Sequence, residues 1–334
     1  MVRIHDILDD YDRLARGLPI DDGTTYLDKL FQFESNLTRP IHRWYKFKEG
    51  FSADLVTHLL NEYFRPISTN LSLLDPFCGV GTSLLAVEEL GLSFNLRQIT
   101  LRGVEVNPYI HFVASTKLNW DRYNPVAMLR AAEKATNGMV LRQKPIRPTL
   151  STMRNARFIS ATSLGRLVEL RDKIRVASKG RPELRPLLLG FAAVAEDFFN
   201  LRKDGRALRY VQKETAVSLE RALDDRWRDM IEDLQIARPR LQVDFKVDKG
   251  DGRRADRLYR DRQFHIVLFS PPYLNNIDYT EVYKIESWLL GFLQSREEML
   301  SQRRRTFRSH PSCRFPQTKD AATGEVERIL GAPF

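Results

Sequence analysis

LSLLDPFCGVGTSLLAVEELG (Leu71–Gly91) is the stretch that decides how this chain folds. Its mostly apolar start, Leu71–Leu74, reads as a short buried strand. An Asp-Pro step and the close pair Gly79 and Gly81 break that strand, and an apolar helix is expected from near Thr82 to Gly91. Close-set glycines at the start of a helix let backbone amides approach a ligand. The loop is neither of two familiar alternatives. GxGxxG is absent, which excludes the dinucleotide fingerprint, and no Gly-Lys-Ser/Thr follows, which excludes a phosphate P-loop.

Beyond it, GVEV (Gly103–Val106) reads as a second strand leading through Asn107-Pro108 into another helix. Strand, tight turn, helix, strand, helix is the opening of a doubly wound α/β sheet. Glu105 ends that second strand, where a carboxylate can accept hydrogen bonds from both hydroxyls of a ribose. A plain surface carboxylate fits the same pattern. From Tyr123 to Pro239 the chain becomes helical in period, rich in Arg and Leu and without convincing strands, and Lys213–Ala237 reads as one long amphipathic helix. This region is too long for an ordinary connection and reads as a helical insertion. The α/β pattern resumes with LQVDFKV (Leu241–Val247), the turn GDGR (Gly250–Arg253) and FHIVLF (Phe264–Phe269), which runs into SPPY (Ser270–Tyr273) and a helix over roughly Tyr279–Leu293. On the N-terminal side, Ser52 reads as an N-cap, with Leu55, Leu59, Leu60, Tyr63 and Phe64 on one face of the helix it starts. The expected organisation is a helical leader (1–40), a first α/β part (41–122), the insertion (123–239), a second α/β part (240–294) and a basic polar tail (295–334).

Composition narrows the function classes. The 334 residues are 43% hydrophobic and 29% charged, an ordinary globular balance. Lys and Arg outnumber Asp and Glu by 53 to 43, a formal charge of +10 that favours a polyanionic partner. Two cysteines in dissimilar surroundings, Cys78 and Cys313, make neither a disulfide framework nor a zinc site, which suits a reducing cytoplasm. No apolar run approaches the roughly 20 residues of a membrane helix, and no signal-peptide core is present, so no membrane partner is expected. His42, His58, His111, His265 and His310 show no metal spacing, and no metal is expected.

SPPY carries the second piece of chemistry. Successive prolines lock φ and remove two amide donors, leaving fixed carbonyls free to accept. A carbonyl and a hydroxyl aimed at an exocyclic amino group can take its two N–H donors, while a neighbouring aromatic ring stacks on the base. A proline-stiffened turn after a strand is the alternative.

Taken together, KFKEGFS (Lys46–Ser52), DPFCGVGT (Asp75–Thr82), GVEVNP (Gly103–Pro108), GDGR and SPPY, in that order, resemble the S-adenosylmethionine-dependent amino-methyltransferases of DNA. That family carries a DPFxGxGT cofactor loop and an (S/D/N)PP(Y/F) catalytic loop. The resemblance implies a Rossmann-like methyltransferase sheet interrupted by a large helical insertion, with S-adenosylmethionine as cofactor. Residue by residue, it implies that Phe51 and Ser52 lie near the methionine end of the cofactor. Asp75, Phe77, Gly79, Gly81 and Thr82 form its cradle, Glu105 holds the ribose, and Asp251 approaches the adenine amino group. Ser270 and the carbonyl of Pro271, followed by Pro272, orient the target amino group, and Tyr273 stacks on a flipped base. The serine of this loop favours cytosine N4 over adenine N6. The implied function is site-specific DNA methylation in a restriction-modification system, in the cytoplasm. Cytosine C5 chemistry needs a nucleophilic thiolate, usually in a Pro-Cys pair, and neither cysteine fits.

Two basic clusters could meet DNA phosphates: Arg202, Lys203, Arg206 and Arg209 in NLRKDGRALRY, where a solvated loop fits equally well, and Arg303, Arg304, Arg305 and Arg308 in QRRRTFRSH, where a solvated charge run fits slightly better. The family's sheet has more strands than the four legible here, so the sheet is expected to be incomplete at the C-terminal end. Truncation, or a second polypeptide that completes the sheet or supplies target recognition, would account for that. An RNA methyltransferase and a non-catalytic cofactor-binding remnant are the alternatives to a DNA enzyme.

Overall fold

The computed structural model describes residues 30–48, 50–64, 69–91, 93–136, 148, 150–204, 207–214, 217–236, 242–272 and 277–306. All of them lie in one compact unit, Lys29–Cys313. The leader up to residue 29 and the tail from residue 307, with Arg308, His310 and Cys313, fall outside the described residues, as do Arg206 and Tyr273.

Four parallel strands form the central sheet: β1 (Asn70–Asp75), β2 (Gln98–Glu105), β5 (Gln242–Lys249) and β6 (Ile266–Val267), in the spatial order β5-β2-β1-β6. β1 pairs with β2 from Asn70↔Gln98 to Asp75↔Gly103, and β2 with β5 from Gln98↔Gln242 to Glu105↔Lys249. The chain thus builds outward from β1 through β2 to β5, then returns to the other side of β1 with β6. That reversal leaves a crevice outside the carboxyl ends of β1 and β6, where open α/β sheets place their ligands.

Alternation along the strands separates two layers. Leu71, Leu73, Ile99 and Leu101 face the main core with α1 (Ala53–Tyr63), α2 (Thr82–Leu90) and α3 (Pro108–Leu118). Leu74 and Val104 face the other way, onto a small cluster with Tyr259. Ser52 caps α1, its hydroxyl accepting from the Leu55 amide at 3.1 Å, and Asn107 caps α3 with Pro108 following at the first helical position. α2 is buried along nearly its whole length, and its apolar run meets that environment without an amphipathic stripe.

The region 123–239 contributes α4 (Pro125–Thr136), α5 (Ala161–Ala177), α6 (Arg185–Ala195) and α7 (Leu219–Ile236). Leu187, Phe191, Leu223 and Trp227 belong to the same core cluster as the strands, so this region is packed into the sheet's own core. The expectation that it lacks strands is corrected: β3 (Leu201–Asp204) and β4 (Ala207–Tyr210) form an antiparallel hairpin. Its alternation is short and its inward polar residue is a lysine, so the period-two signal is masked. α7 begins at Leu219, six residues later than the long helix read from Lys213. The helix expected over 279–293 is two short ones, α8 (Tyr279–Val282) and α9 (Lys284–Leu289), followed by α10 (Arg296–Arg305). The strand read over 264–269 pairs at Ile266 and Val267, flanked by backbone hydrogen bonds from His265 to Ser72 O and from Leu268 to Leu74 O, both 3.0 Å. No helix among the described residues is long and apolar enough to cross a membrane.

Candidate active site

The loop after β1 is stitched to its surroundings by backbone and buried side chains. Asp75 is 1% exposed. Its carboxylate accepts from the Phe77 amide at 2.9 Å and from the Ser83 hydroxyl. Burial pushes its pKa up to about 6, against the lowering effect of those two hydrogen bonds. The Cys78 amide donates to Val104 O at 3.1 Å, and the Gly81 amide donates back to Cys78 O at 2.8 Å. Gly79 and Gly81 have φ of +51° and +82°, the left-handed region that a side chain would strain. Gly252 is required for a different reason. A Cβ there would sit 2.0 Å from Pro76 O, so the GDGR turn and the β1 loop touch backbone to backbone.

Between these loops lies an open cleft. Phe51, Phe77, Gly79, Thr82, Glu105 and Asp251 line it together with Ser270, Pro271 and Pro272. Three residues expected at the cofactor do not line it. Ser52 is fully buried, its hydroxyl donating to Leu30 O at 2.8 Å while it caps α1. Asp75 braces the loop from behind, and Gly81 turns the chain into α2.

Glu105 closes the floor. Its carboxylate accepts from the Asn107 amide at 2.7 Å. Burial, helped by the nearby Asp75 charge, pushes its pKa up to about 7, and backbone amides of Asn107, Val106 and Gly79 act in the opposite direction. Asp251 stands differently. Burial alone would raise its pKa, but hydrogen bonds from the Arg253 side chain (2.9 and 2.7 Å) and amide, with that residue's charge, hold it below the usual carboxylate range.

Sequence reading did not single out several wall residues: Phe47, Asn107, Ile110, Gly252 and Tyr279. Phe47 stacks on Tyr283, ring centroids 5.3 Å apart at 10°. Asn107 and Gly252 sat inside quoted motifs, and their position within those motifs was the available signal.

The cleft's donors fit a cofactor bearing hydroxyls, amines and a flat ring. Among the described residues, Thr82 Oγ1 and Asn107 Nδ2 are buried without a hydrogen-bond partner, which leaves them available to a ligand. The aromatic walls of Phe47, Phe51 and Phe77 supply apolar surface.

The basic residues divide. Lys203 turns inward: its ammonium meets Glu286 and, at 2.6 Å, Glu196, and lies 4.5 Å from the Tyr283 ring centroid. Burial alone would lower its pKa, but the two carboxylates hold it above its ordinary value. Arg303 pairs with Asp278 at 2.7 Å and Glu281 at 2.8 Å and is 15% exposed. Both charges are thus met by carboxylates within the chain. Arg202, Arg209 and Arg304 are exposed, and Arg305 lines the cleft.

A parallel sheet with its cleft at the strand-order reversal puts the chain among α/β proteins that bind a ligand outside the carboxyl ends of their strands. Among characterised proteins it is similar to Type II methyltransferase M.BsoBI of Geobacillus stearothermophilus, 26% identical over 93% of this chain and 66% of the relative. It is also similar to Type II methyltransferase M.AvaI of Nostoc sp. and of Anabaena variabilis, 25% identical over 82% of this chain and 60% of each relative. The chain thus spans less than two thirds of the length of these relatives. No family model and no solved structure matches.

Proposed function

We propose that this chain carries the methyl-transfer centre of a DNA amino-methyltransferase of the Type II restriction-modification class, acting on an exocyclic amino nitrogen, with cytosine N4 favoured over adenine N6. The observation behind the reading is that Gly79, Val80 and Thr82 with Glu105, and Ser270–Pro272 from a separate loop, line one cleft at the β1/β6 reversal. The names of the relatives, Type II methyltransferases, support the methyltransferase class and not the choice of base.

When bound, S-adenosylmethionine supplies an electrophilic methyl group on a sulfonium. Gly79 and Thr82 would cradle it, and Glu105 would accept from its ribose hydroxyls. Asn107 Nδ2, buried and without a partner among the described residues, would donate to one of its acceptors. Asp251, kept ionised by Arg253, would take an N–H of the adenine. Phe51 and Phe77 would exclude water from the cofactor's apolar faces.

At the other rim, Ser270 Oγ and the Pro271 carbonyl would accept the two N–H bonds of the target amino group. That nitrogen is a weak nucleophile because its lone pair is delocalised into the base. Acceptors that favour a pyramidal nitrogen, together with fixed positioning, supply the rate. Such a base lies out of reach inside a duplex, so it must be flipped out or met single-stranded. Ser270 and Pro271 are solvent-exposed, which suits receipt of a base from outside. The serine of the loop is what favours cytosine. The exposed edge at Val267, 53% accessible, is where further strands of this chain or of a second polypeptide would pair. The cytoplasm is the compartment that fits this role.

The test is transfer of labelled methyl from S-adenosylmethionine to unmethylated genomic DNA and, in parallel, to bulk RNA. Label is expected in DNA and not in RNA, and digestion to nucleosides should show N4-methylcytosine. Label confined to RNA would reject the reading, whereas none anywhere despite cofactor binding would show that transfer needs the further strands or the second polypeptide.

A further inference from the structure

The β3–β4 hairpin is not explained by the cleft. In its register Arg202 stands directly opposite Arg209, both on the exposed face. Like charges placed directly opposite on two strands repel, and an anion seated between them would relieve that repulsion. Internal neutralisation is slight: Asp204 lies 3.8 Å from Arg209, with side chains 63% and 74% exposed, a screened surface pair. Arg202 makes no ion pair among the described residues. The two arginines share a groove with Lys48, Asp204 and Tyr210, and Lys48 is fixed there by donating to Lys203 O at 2.5 Å. Beside it, the Arg157 guanidinium sits 4.6 Å from the Tyr210 ring centroid and adds a further cation.

Two observations make this a prepared site and not a loose basic loop. Lys203, between the arginine and the turn, is buried against Glu196 and Glu286, so the strand is anchored with its alternate residue pointing out. β4 also packs against α8, the helix that follows the Ser270–Pro272 loop, so the groove borders the rim of the cleft.

We infer that the Lys48–Arg202–Arg209 groove is a sequence-independent contact for the DNA phosphate backbone, beside the point where the target base enters. Choosing DNA as the polyanion rests on the function proposed above; the cationic groove itself does not. Backbone contacts of this kind set register and affinity without reading bases.

The experiment is fluorescence anisotropy of a labelled duplex of about 20 base pairs, long enough for about two helical turns, titrated across a salt series. The proteins are wild type, Arg202→Ala/Arg209→Ala and Arg202→Lys/Arg209→Lys. Calorimetric titration with S-adenosylmethionine and thermal melting monitor the cleft and the fold. The alanine pair is expected to weaken duplex binding at least tenfold at fixed salt, whatever the duplex sequence. It should also lower the slope of log K against log salt by about 2, roughly one unit per phosphate contact. The lysine pair should keep most of the slope, and cofactor affinity should not change. Unaltered duplex affinity and slope in the alanine pair would overturn the inference, as would a wild type that binds no duplex or binds RNA in its place. Hairpin-dependent duplex binding with methyl label confined to RNA would support the groove and reject the proposed reaction, so the two readings fail separately.

Discussion

The two rims of the cleft are built in opposite ways. On the β1 side the loop is buried and cross-braced: Asp75 is held by Phe77 and Ser83, Cys78 is bonded to β2, and Gly252 touches Pro76 without room for a Cβ. On the β6 side, two paired residues carry the loop, Val267 and Phe269 are about half exposed, and Ser270 and Pro271 are open to solvent. A small flexible ligand used at every turnover gains from a prebuilt pocket, because less ordering is needed when it binds. A base delivered by a large polymer needs an open approach. There, two prolines fix the backbone where sheet pairing does not.

The largest effect should come from breaking the open rim. Ser270→Ala removes one acceptor for the amino group and touches nothing in the core. Methyl transfer is expected to fall by about 10²–10³-fold, the usual loss for one preorganised hydrogen-bonding group, with the cofactor dissociation constant unchanged. Single-turnover rates and calorimetry separate the two quantities. A parallel loss of cofactor affinity would show that the rims are not independent.

The braced rim is tested by Glu105→Gln. Its amide can still accept, but the charge is gone, and cofactor affinity should weaken about 10–100-fold, as for hydrogen bonds to a charged group. A variant that binds as tightly as wild type would remove Glu105 from the cofactor site. Acidity sharpens the same comparison. Glu105 titrates near 7 in the free chain, so cofactor affinity should rise as pH climbs from about 6 to 8, and Glu105→Gln should flatten that rise. Stability of the free chain runs the other way. Asp75 and Glu105 hold their protons to about 6 and 7, above the unfolded values, so the folded chain binds more protons in that window. Their contribution is complete below about 4 and lost as pH rises through 7. Melting of the free chain at several pH values checks the sign.

The difference between the rims also explains what was legible in the sequence. DPFCGVGT announces its strand, turn and helix because glycine and proline act locally, and the structure has β1 and α2 within a residue of their expected bounds. The two-residue β6 was overread because FHIVLF is apolar enough for a long strand, while pairing depends on a neighbour that the sequence does not name. Ser52, Asp75 and Gly81 lie inside motifs yet face away from the cleft, since a motif does not tell which members brace and which touch. Lys203 looked like surface charge. Its partners Glu196 and Glu286 lie 7 and 83 residues away, and no local pattern encodes the longer pairing.

The smallest effect is expected at the β6 edge, where the comparison is also easiest to break. Val267 pairs with Leu74 through the backbone, and its side chain is 53% exposed. Val267→Ala therefore removes little buried surface and should shift the free energy of unfolding by no more than about 0.5 kcal/mol, the range for surface substitutions. Leu73, one strand inward and fully buried, sets the contrast: truncating such a residue costs about 2–5 kcal/mol. Urea unfolding of both variants measures the gap. If Val267→Ala proves as costly as a core truncation, this edge is covered in solution, and the open rim owes its geometry to a packed neighbour as well as to its prolines.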